Sequence, residues 1–342
     1  MSRKLASIRR IKEIIPHTNA DALELALIDG WQVVVKKDEF KPSDHCVYFE
    51  IDSFLPREER YQFLARNSFR STPNLGDGYK LRTVKLRGEL SQGLALPVNM
   101  FPELENVKLI ADLDVTDVLK VQKFELPEAT MLAGRIKGNF PSFLRKTDQE
   151  RVQNLIGKIS NYYQDEYFEV TVKLDGSSMT VYSKDAGFGV CSRNLDLTED
   201  DTNAFWKMAR QYDLVERLPA LGMNIAIQGE LVGPGIQGNP QKLDKLDFYV
   251  FDIYDIDRSE YMLHWERKLI TSVLGLNHVP VISEGMSFSH LAREELKEYI
   301  LGLAEGTCII TDCPREGIVF KCLNKNFSFK AIANSYLLNE KS

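Results

Sequence analysis

The chain has 342 residues, of which 44% are hydrophobic and 27% are charged. This balance excludes a disordered, collagen-like or coiled-coil protein, and the length predicts two domains. The formal net charge of -6 argues at first against a protein that holds nucleic acid.

The five cysteines are scattered and lack the paired spacing of a zinc site, so we expect a reducing compartment without structural disulfides. The first residues are basic but lack the apolar segment of a signal peptide. No apolar run reaches the roughly 20 residues that span a membrane. The sequence therefore predicts a cytoplasmic, monomeric protein that does not bind membranes.

Residues 1–120 are predicted to form short β-strands separated by turns. Asp29-Gly30 is typical of a hairpin turn between two β-rich runs. Many short strands with Gly, Pro and Asp turns favour a five-stranded OB-fold barrel, with a generic β-sandwich as the alternative. The strand-like runs are ALELALIDG, WQVVVKK, HCVYFEIDSFLP, KLRTVKLRG and QGLALPVNM.

Residues 121–145 are predicted to be a linker, and 146–342 a second domain that mixes strands and helices. The linker contains two prolines and two glycines without sustained periodicity. We expect a helix over 146–160 with Thr147 or Asp148 as its N-cap, and another over 203–218. Strands interspersed with helices favour an α+β domain over a doubly wound sheet.

The charge is unevenly distributed along the chain. Residues 1–125 hold 19 basic and 19 acidic side chains, so the whole deficit lies after residue 125. The segment 57–87, with eight basic and three acidic residues, also contains Tyr61, Phe63, Phe69 and Tyr79. Basic and aromatic residues together suit a nucleic-acid-binding surface. The alternative is a solvated loop whose aromatic residues complete the barrel core.

The sharpest local feature is the run VKLDGSS, residues 172–178, which places a lysine at a predicted strand end before an Asp-Gly turn. Alone, such a run is usually a surface turn. Five further short runs follow it, each with a charged or aromatic residue on or just beyond a predicted strand. They are SRN (192–194), QGEL (228–231), FYVFD (248–252), EGIVFK (316–321) and FK (329–330).

In this order, the runs resemble motifs I, Ia, III, IIIa, IV and V of the covalent nucleotidyltransferases, which include DNA ligases, RNA ligases and mRNA capping enzymes. GELVGPGIQGN and KTDQERVQN most resemble RNA ligases, and the N-terminal run IKEIIPHTNADALELALIDGWQVVV resembles the OB domain of the RNA ligase 5 family. The resemblance covers nearly the whole chain. It implies an OB-fold barrel followed by an α+β, ATP-grasp-like ligase domain of antiparallel sheets with flanking helices.

The resemblance implies that Lys173 is the nucleophile that forms lysyl-AMP and that Lys330 assists it as a catalytic cation. A free lysine has a pKa of about 10.4, so its amine must be deprotonated with the help of a nearby metal ion or cation. Asp175, Glu230 and Glu316 are hard oxygen donors suited to one Mg²⁺ or Mn²⁺ ion. Glu230 or Glu316 could instead contact the ribose or a metal-bound water.

The remaining expected ATP contacts come from the same resemblance. Phe251 is expected to stack on adenine, although an apolar strand is by default core. Arg193 is expected to grip the AMP phosphate or the ribose, where its planar donors are useful. The implied nucleotide-binding set is Val172, Lys173, Gly176, Arg193, Glu230, Phe251, Lys321, Lys330 and Arg151.

Two features qualify the resemblance. Only 12 residues follow Lys330, too few for the barrel that DNA ligases and capping enzymes place there, so the OB fold must be N-terminal. Motif V often has two lysines, but Ser328 stands in the first position here, and Lys325 is the nearest candidate to compensate. The five histidines show no metal-binding spacing.

The sequence thus predicts an ATP-dependent RNA ligase that acts in RNA repair. We expect it to seal 3′-OH/5′-phosphate breaks, in particular nicks in duplexes with an RNA 3′ end, through lysyl-AMP and an adenylylated 5′ end. The alternatives are a DNA ligase, a capping-type transferase and a non-catalytic nucleic-acid-binding protein.

Overall fold

The protein is described by a computed structural model that covers residues 3–125 and 135–339. Residues 126–134, which belong to the predicted linker, lie outside the described residues. Residues 3–125, 152–161 and 337–339 form one compact unit, and residues 135–151 and 162–336 form another. In these ranges, no helix is both long and apolar enough to cross a membrane.

Short antiparallel strands dominate the first unit. One sheet has the order β1-β5-β11, another β2-β3-β4, a third β12-β6-β8-β7, and β9 pairs with β10. A short helix, α1 (Ala65–Ser68), precedes β7. The strands are β1 (Ala6–Arg10), β2 (Glu13–Pro16), β3 (Leu23–Ile28), β4 (Trp31–Lys36), β5 (His45–Phe49), β6 (Ser53–Pro56), β7 (Phe69–Thr72), β8 (Gly76–Lys80), β9 (Thr83–Leu86), β10 (Glu89–Gln92), β11 (Leu94–Pro97) and β12 (Gln122–Lys123).

The core of this unit combines side chains from β5 and β6, which were predicted as one β-rich run, with side chains from β1, which was not predicted as a strand. Ile8, Val47, Phe49 and Leu55 are fully buried in it. The hairpin between β3 and β4 turns at Asp29-Gly30, as predicted, with Asp29 at a φ of 52°.

Helix α2 (Val152–Tyr162) packs on this hairpin. The Gly30 amide donates to the Gln153 carbonyl over 3.0 Å, and a Cβ on Gly30 would lie 2.7 Å from the Gln153 backbone. Trp31 Nε1 donates to Asn154 Oδ1 over 2.6 Å. Since a larger residue at position 30 would push the helix away, glycine is required here.

Two sheets form the second unit. Their orders are β13-β18-β17-β16-β19-β20-β21, with β22 also paired to β20, and β14-β25-β24-β15-β23. The strands are β13 (Ile136–Asn139), β14 (Glu150–Arg151), β15 (Phe168–Lys173), β16 (Ser177–Lys184), β17 (Gly187–Cys191), β18 (Leu195–Leu197), β19 (Ile225–Val232), β20 (Asp247–Asp255), β21 (Glu260–Tyr261), β22 (Asn277–His278), β23 (Val281–Met286), β24 (Gly317–Cys322) and β25 (Ser328–Ile332).

The remaining helices are α3 (Ala204–Gln211), α4 (Leu214–Ala220), α5 (His264–Val273), α6 (Leu296–Ala304) and α7 (Asn334–Asn339). Most strand pairs are antiparallel, while β14 pairs with β25 and β20 with β22 in parallel. Runs of consecutive antiparallel strands are interspersed with helices in this unit, so the predicted α+β class is confirmed. Because β15 and β16 are consecutive but lie in different sheets, the Lys173–Ser177 turn connects the two sheets.

Two helix predictions were wrong in detail. The helix expected over 146–160 begins at Val152, because Glu150 and Arg151 pair with Phe329 and Lys330 instead. Neither Thr147 nor Asp148 is therefore its N-cap. The helix expected over 203–218 is broken into α3 and α4 at Asp213, whose φ of 53° is incompatible with a continuous helix.

Candidate active site

The candidate active site is centred on Lys173, the last residue of β15. Its Nζ lies 2.7 Å from Glu316 Oε2, in an ion pair whose side chains are 28% and 15% exposed. Lys173 is paired with Gly317 across the β15–β24 ladder, which places Glu316 next to it. Glu230, on β19, and Asp175 also act on the Lys173 amine electrostatically. We call Lys173, Asp175, Glu230 and Glu316 the nucleophile cluster.

Electrostatic coupling within this cluster shifts three pKa values. Burial raises the pKa of Glu230 to about 8, and Glu316 and Asp175 reinforce that shift against the opposing effect of Lys173. Burial also raises the pKa of Glu316. Burial lowers the pKa of Lys173, but Glu316, Glu230 and Asp175 outweigh it, so this pKa is raised. Without nucleotide and metal, Lys173 is therefore a protonated ammonium and not a nucleophile.

The turn that carries Asp175 is held closely against β19. A Cβ on Gly176 would lie 2.4 Å from the Leu231 carbonyl oxygen, so glycine is required there. Gln241 Nε2 donates to the Asp175 carbonyl oxygen over 2.9 Å. The Tyr336 hydroxyl donates to Asp175 Oδ2 over 2.7 Å. Asp175 is thus held at both its backbone and its side chain.

Two predicted phosphate-binding cations share one carboxylate. Lys330 Nζ, on β25, lies 3.3 Å from Asp148 Oδ1, and Arg193 Nη2, in the turn after β17, lies 3.6 Å from Asp148 Oδ2. Arg151 is paired with Lys330 between β14 and β25 and is buried. The structure therefore brings Lys330 and Arg193 to the same anion, as one phosphate would require.

The expected adenine-stacking residue, Phe251, lies on β20, and Lys321, an expected phosphate contact, lies near it on β24. Phe251 is half-buried, and its ring centre is 6.0 Å from Lys321 Nζ. Lys321 donates to the Phe251 carbonyl over 2.5 Å and pairs with Asp252 over 2.6 Å. Burial lowers the pKa of Lys321 to about 8. Val172 is buried in an apolar cluster, and Phe251 packs against that cluster.

Lys321 also belongs to a second group of charged side chains, which we call the arginine cluster. Arg267 pairs with Glu169, and its Nε donates to His278 Nε2 over 3.0 Å. Lys268 lies 3.3 Å from Glu169 and also pairs with Glu284. The cluster consists of Arg267, Lys268, Lys321, Glu169, Asp252, Glu284 and His278.

Lys325 does not occupy the first lysine position of motif V, where this chain has Ser328. It lies in the turn between β24 and β25, where its Nζ is 2.7 Å from Glu166 Oε1 and 5.4 Å from the centre of the Tyr163 ring. The suggestion that Lys325 replaces the lysine absent at Ser328 is therefore not supported by its position.

Part of the basic segment 57–87 contributes to the core of the barrel and is therefore not available as a binding surface. Tyr61 and Tyr79 are buried in the core, as the alternative interpretation predicted. Arg60 holds Glu103 through two hydrogen bonds of 2.9 and 2.7 Å. Phe63 is 60% exposed and Phe69 is 37% exposed, so part of the segment presents aromatic surface to solvent.

The donor set of the nucleophile cluster suits a divalent cation that is shared with a phosphate. Among residues 3–125 and 135–339, no three His, Cys, Asp or Glu side chains are arranged to hold an ion by themselves. Mg²⁺ commonly takes one or two carboxylates and completes its shell with water and substrate phosphates. One or two of the carboxylates of Asp175, Glu230 and Glu316 would suffice for such a site, with water and phosphate oxygens as the other ligands.

Family models match both parts of the chain. A model described as an OB-fold domain matches residues 5–98, and one described as RNA ligase matches residues 166–332. A structure of a lysine-to-alanine variant of the Naegleria gruberi RNA ligase, with ATP and manganese, is 46% identical with a TM-score of 0.90, and the match covers 98% of both chains. This chain belongs to the RNA ligase family.

Two further structures of the Naegleria gruberi RNA ligase match this ligase over 98% of both chains. One is a lysine-to-methionine variant with AMP and manganese, at 47% identity, and the other contains pyrophosphate, at 48% identity; both have a TM-score of 0.91. A comparison with curated proteins finds no match. The predicted N-terminal OB fold and the predicted ligase family are thereby confirmed.

Sequence reasoning missed three residues of the site. Asp148 was interpreted as a helix cap, although it pairs with Lys330 and Arg193. Gln241 and Tyr336 were not singled out, although both bind Asp175. Their contacts join residues 45 to 182 positions apart, which no local pattern indicates. A polar residue just after motif V was the one available signal for Tyr336.

Proposed function

We propose that this RNA ligase uses ATP to seal RNA breaks in three nucleotidyl-transfer steps. In the first, the Lys173 amine attacks the α-phosphate of ATP. A nitrogen–phosphorus bond forms, the bond to the β-phosphate breaks, pyrophosphate leaves and the amine loses a proton. The relative solved with ATP, with AMP and with pyrophosphate supports this chemistry.

The observation that carries the proposal is the position of Lys173 among three carboxylates from separate motifs. A single lysine faces Asp175, Glu230 and Glu316, so ionising all three carboxylates would leave an excess of negative charge, which contributes to the raised pKa values of Glu230 and Glu316. A divalent cation would balance that excess, and it would compete with the Lys173 ammonium for Glu316. Losing this ion pair lowers the pKa of the amine toward the value that attack requires.

The other site residues are proposed to hold the nucleotide. Lys330 and Arg193 would exchange Asp148 for the α-phosphate, and Phe251 would stack on adenine. Lys321 and Arg151 would add positive charge near the triphosphate. Val172 would shape the apolar side of the site, and Gly176 would let the backbone approach the nucleotide closely.

The metal is proposed to be Mg²⁺ or Mn²⁺, held by oxygens of Asp175, Glu230 and Glu316. When bound, it would neutralise charge on the phosphates while pyrophosphate departs. Manganese in structures of the relative supports this choice.

In the second and third steps, AMP passes to a 5′-phosphate end and a 3′-OH then displaces AMP. We propose a nicked duplex with an RNA 3′ end as substrate, held in part by the basic and aromatic surface of segment 57–87. Phe63 and Phe69 are the exposed aromatic side chains that support base stacking there. For the domains we propose 1–120 as the OB fold, 121–145 as the linker and 146–342 as the nucleotidyltransferase.

The first test is incubation with radiolabelled ATP and a divalent cation. We expect covalent label on the wild-type protein and none on Lys173→Ala. Lys184→Ala is the matched control, because Lys184 lies at the far end of β16 beside Asp185 and should leave labelling unchanged. Persistent label on Lys173→Ala contradicts the first step.

The second test is sealing of nicked duplexes with every combination of RNA and DNA ends. We expect sealing where the 3′ strand ends in RNA. Sealing of DNA 3′ ends in preference to RNA 3′ ends identifies a DNA ligase, and binding without sealing identifies a non-catalytic protein. In the labelling test, label from GTP instead of ATP identifies a capping-type enzyme.

A further inference from the structure

Tyr336 lies at the active site although it follows the last recognised motif. Its hydroxyl donates to Asp175 Oδ2 over 2.7 Å, and its side chain lines one small cavity together with Lys173, Asp175 and Glu316. Tyr336 belongs to α7, which begins two residues after β25 ends.

The start of α7 is held in place from two directions. The Ala333 amide donates to the carbonyl oxygen of Glu316 over 2.9 Å, which ties the chain before α7 to the residue that pairs with Lys173. Ser335 Oγ and its amide donate to the Glu305 carboxylate over 2.5 and 3.2 Å, near the end of α6. Tyr336 is therefore presented from a braced backbone.

Asp175 has a backbone whose position does not depend on Tyr336. Gln241 holds its carbonyl, and the Gly176 contact with Leu231 holds the turn. The hydroxyl of Tyr336 thus acts on the carboxylate alone. A hydrogen bond to a carboxylate restricts its rotation and disperses its negative charge.

We infer that Tyr336 is a positioning residue that orients the Asp175 carboxylate for nucleotide transfer to Lys173. The inference rests on the proposed function, because it needs Asp175 to act during adenylylation. The inference gives a role to α7, which follows motif V and contains none of the recognised motifs. A carboxylate held in its working orientation saves reorganisation in the transition state.

The test is Tyr336→Phe, which removes the hydroxyl and keeps the ring. We expect lysyl-AMP formation at saturating ATP and Mn²⁺ to slow about tenfold, with the ATP concentration for half-maximal rate changed less than twofold. Tyr212→Phe is the matched control, since Tyr212 donates to Asp247 Oδ1 over 2.5 Å in the same unit. A wild-type rate in Tyr336→Phe, or the same slowing in Tyr212→Phe, overturns the inference.

A double-mutant cycle separates positioning from a general structural role. In an Asp175→Asn background, we expect Tyr336→Phe to slow single-turnover labelling less than twofold, because its target is already altered. The same four variants are also compared by urea unfolding without nucleotide or metal. There too, the two substitutions together should shift the urea midpoint by less than the sum of their separate shifts. Additivity in either cycle overturns the inference.

Failure of the proposed function gives a different result. If the wild-type protein never takes label, the first step itself is wrong. If wild type labels and Tyr336→Phe labels equally fast, the ligase proposal stands and the role of Tyr336 falls.

Discussion

The nucleophile cluster and the arginine cluster both contain charged side chains that are buried or partly buried, but the two clusters differ in charge balance. The first has one lysine for three carboxylates, and two of these, Glu230 and Glu316, have raised pKa values. The second has three cations for three carboxylates, together with His278, and the pKa of Glu169 is lowered.

The difference separates two uses of buried charge. In the arginine cluster, burial alone would raise the pKa of Glu169, but Arg267 and its neighbours outweigh burial and favour the ionised form. Burial and Arg267 lower the pKa of His278 to about 4, so the ring is neutral and accepts from Arg267 through Nε2. Balanced charge keeps the buried carboxylate of Glu169 ionised, whereas the imbalance around Lys173 suits a cationic ligand.

The largest expected effect is on activity in the nucleophile cluster. Glu316→Gln should slow lysyl-AMP formation about 100-fold, because it removes a carboxylate oxygen that faces the nucleophile. The thermal stability of this variant should not fall, because the raised pKa of Glu316 shows that its buried position disfavours the ionised carboxylate. Radiolabelled ATP and thermal melts measure the two quantities. Glu284→Gln, the same change in the arginine cluster, should label normally, and normal labelling of Glu316→Gln would contradict the assignment.

The second expected effect is on stability in the arginine cluster. Arg267→Met should lower the free energy of unfolding by about 3 kcal/mol, because it leaves Glu169 buried without its main cation. Lys268→Met removes a more exposed partner of the same carboxylate and should cost less than about 1 kcal/mol. Urea unfolding measures both variants. Equal losses would mean that Arg267 is not the central cation.

The same substitution should have opposite signs in the two clusters. In EDTA at pH 7.5, Glu169→Gln should destabilise the protein and Glu230→Gln should stabilise it, each by about 1–2 kcal/mol. The folded-state pKa of Glu230 is raised to about 8, so stability is lost as pH rises from about 5 through 8, and Glu230→Gln should lose less. Urea unfolding at several pH values measures this, and equal signs would remove the distinction between the clusters.

The smallest expected effect concerns Asp148, which forms ion pairs with the two cations that are proposed to bind the phosphate. Asp148→Asn should tighten ATP binding about two- to threefold, since Lys330 and Arg193 no longer give up a charged partner. Binding is measured in a Lys173→Ala background to prevent turnover, with Asp185→Asn as the surface control. Weaker binding would show that Asp148 assists the nucleotide instead of competing with it.

Much of the fold followed from local patterns. Alternating residues predicted β3 and β4, and apolar runs around VKLDGSS predicted β15 and β16. One helix error arose where a distant partner outweighed local propensity, because Glu150 and Arg151 pair with β25 as a strand. The left-handed conformation of Asp213 had no strong local signal, because aspartate adopts it less readily than glycine.

The sequence alone determined the order of the motifs, the ligase family and the N-terminal OB domain, because each depends on short runs of residues. Tertiary structure decided which charges meet. Lys173 and Glu316 are 143 residues apart, Asp175 and Tyr336 are 161, and Asp148 and Lys330 are 182. Such contacts depend on which distant strands pair, as β15 does with β24 and β14 with β25, and local periodicity carries no information about that pairing. The same holds for charge, since the net charge of -6 says little until the structure shows where it is balanced.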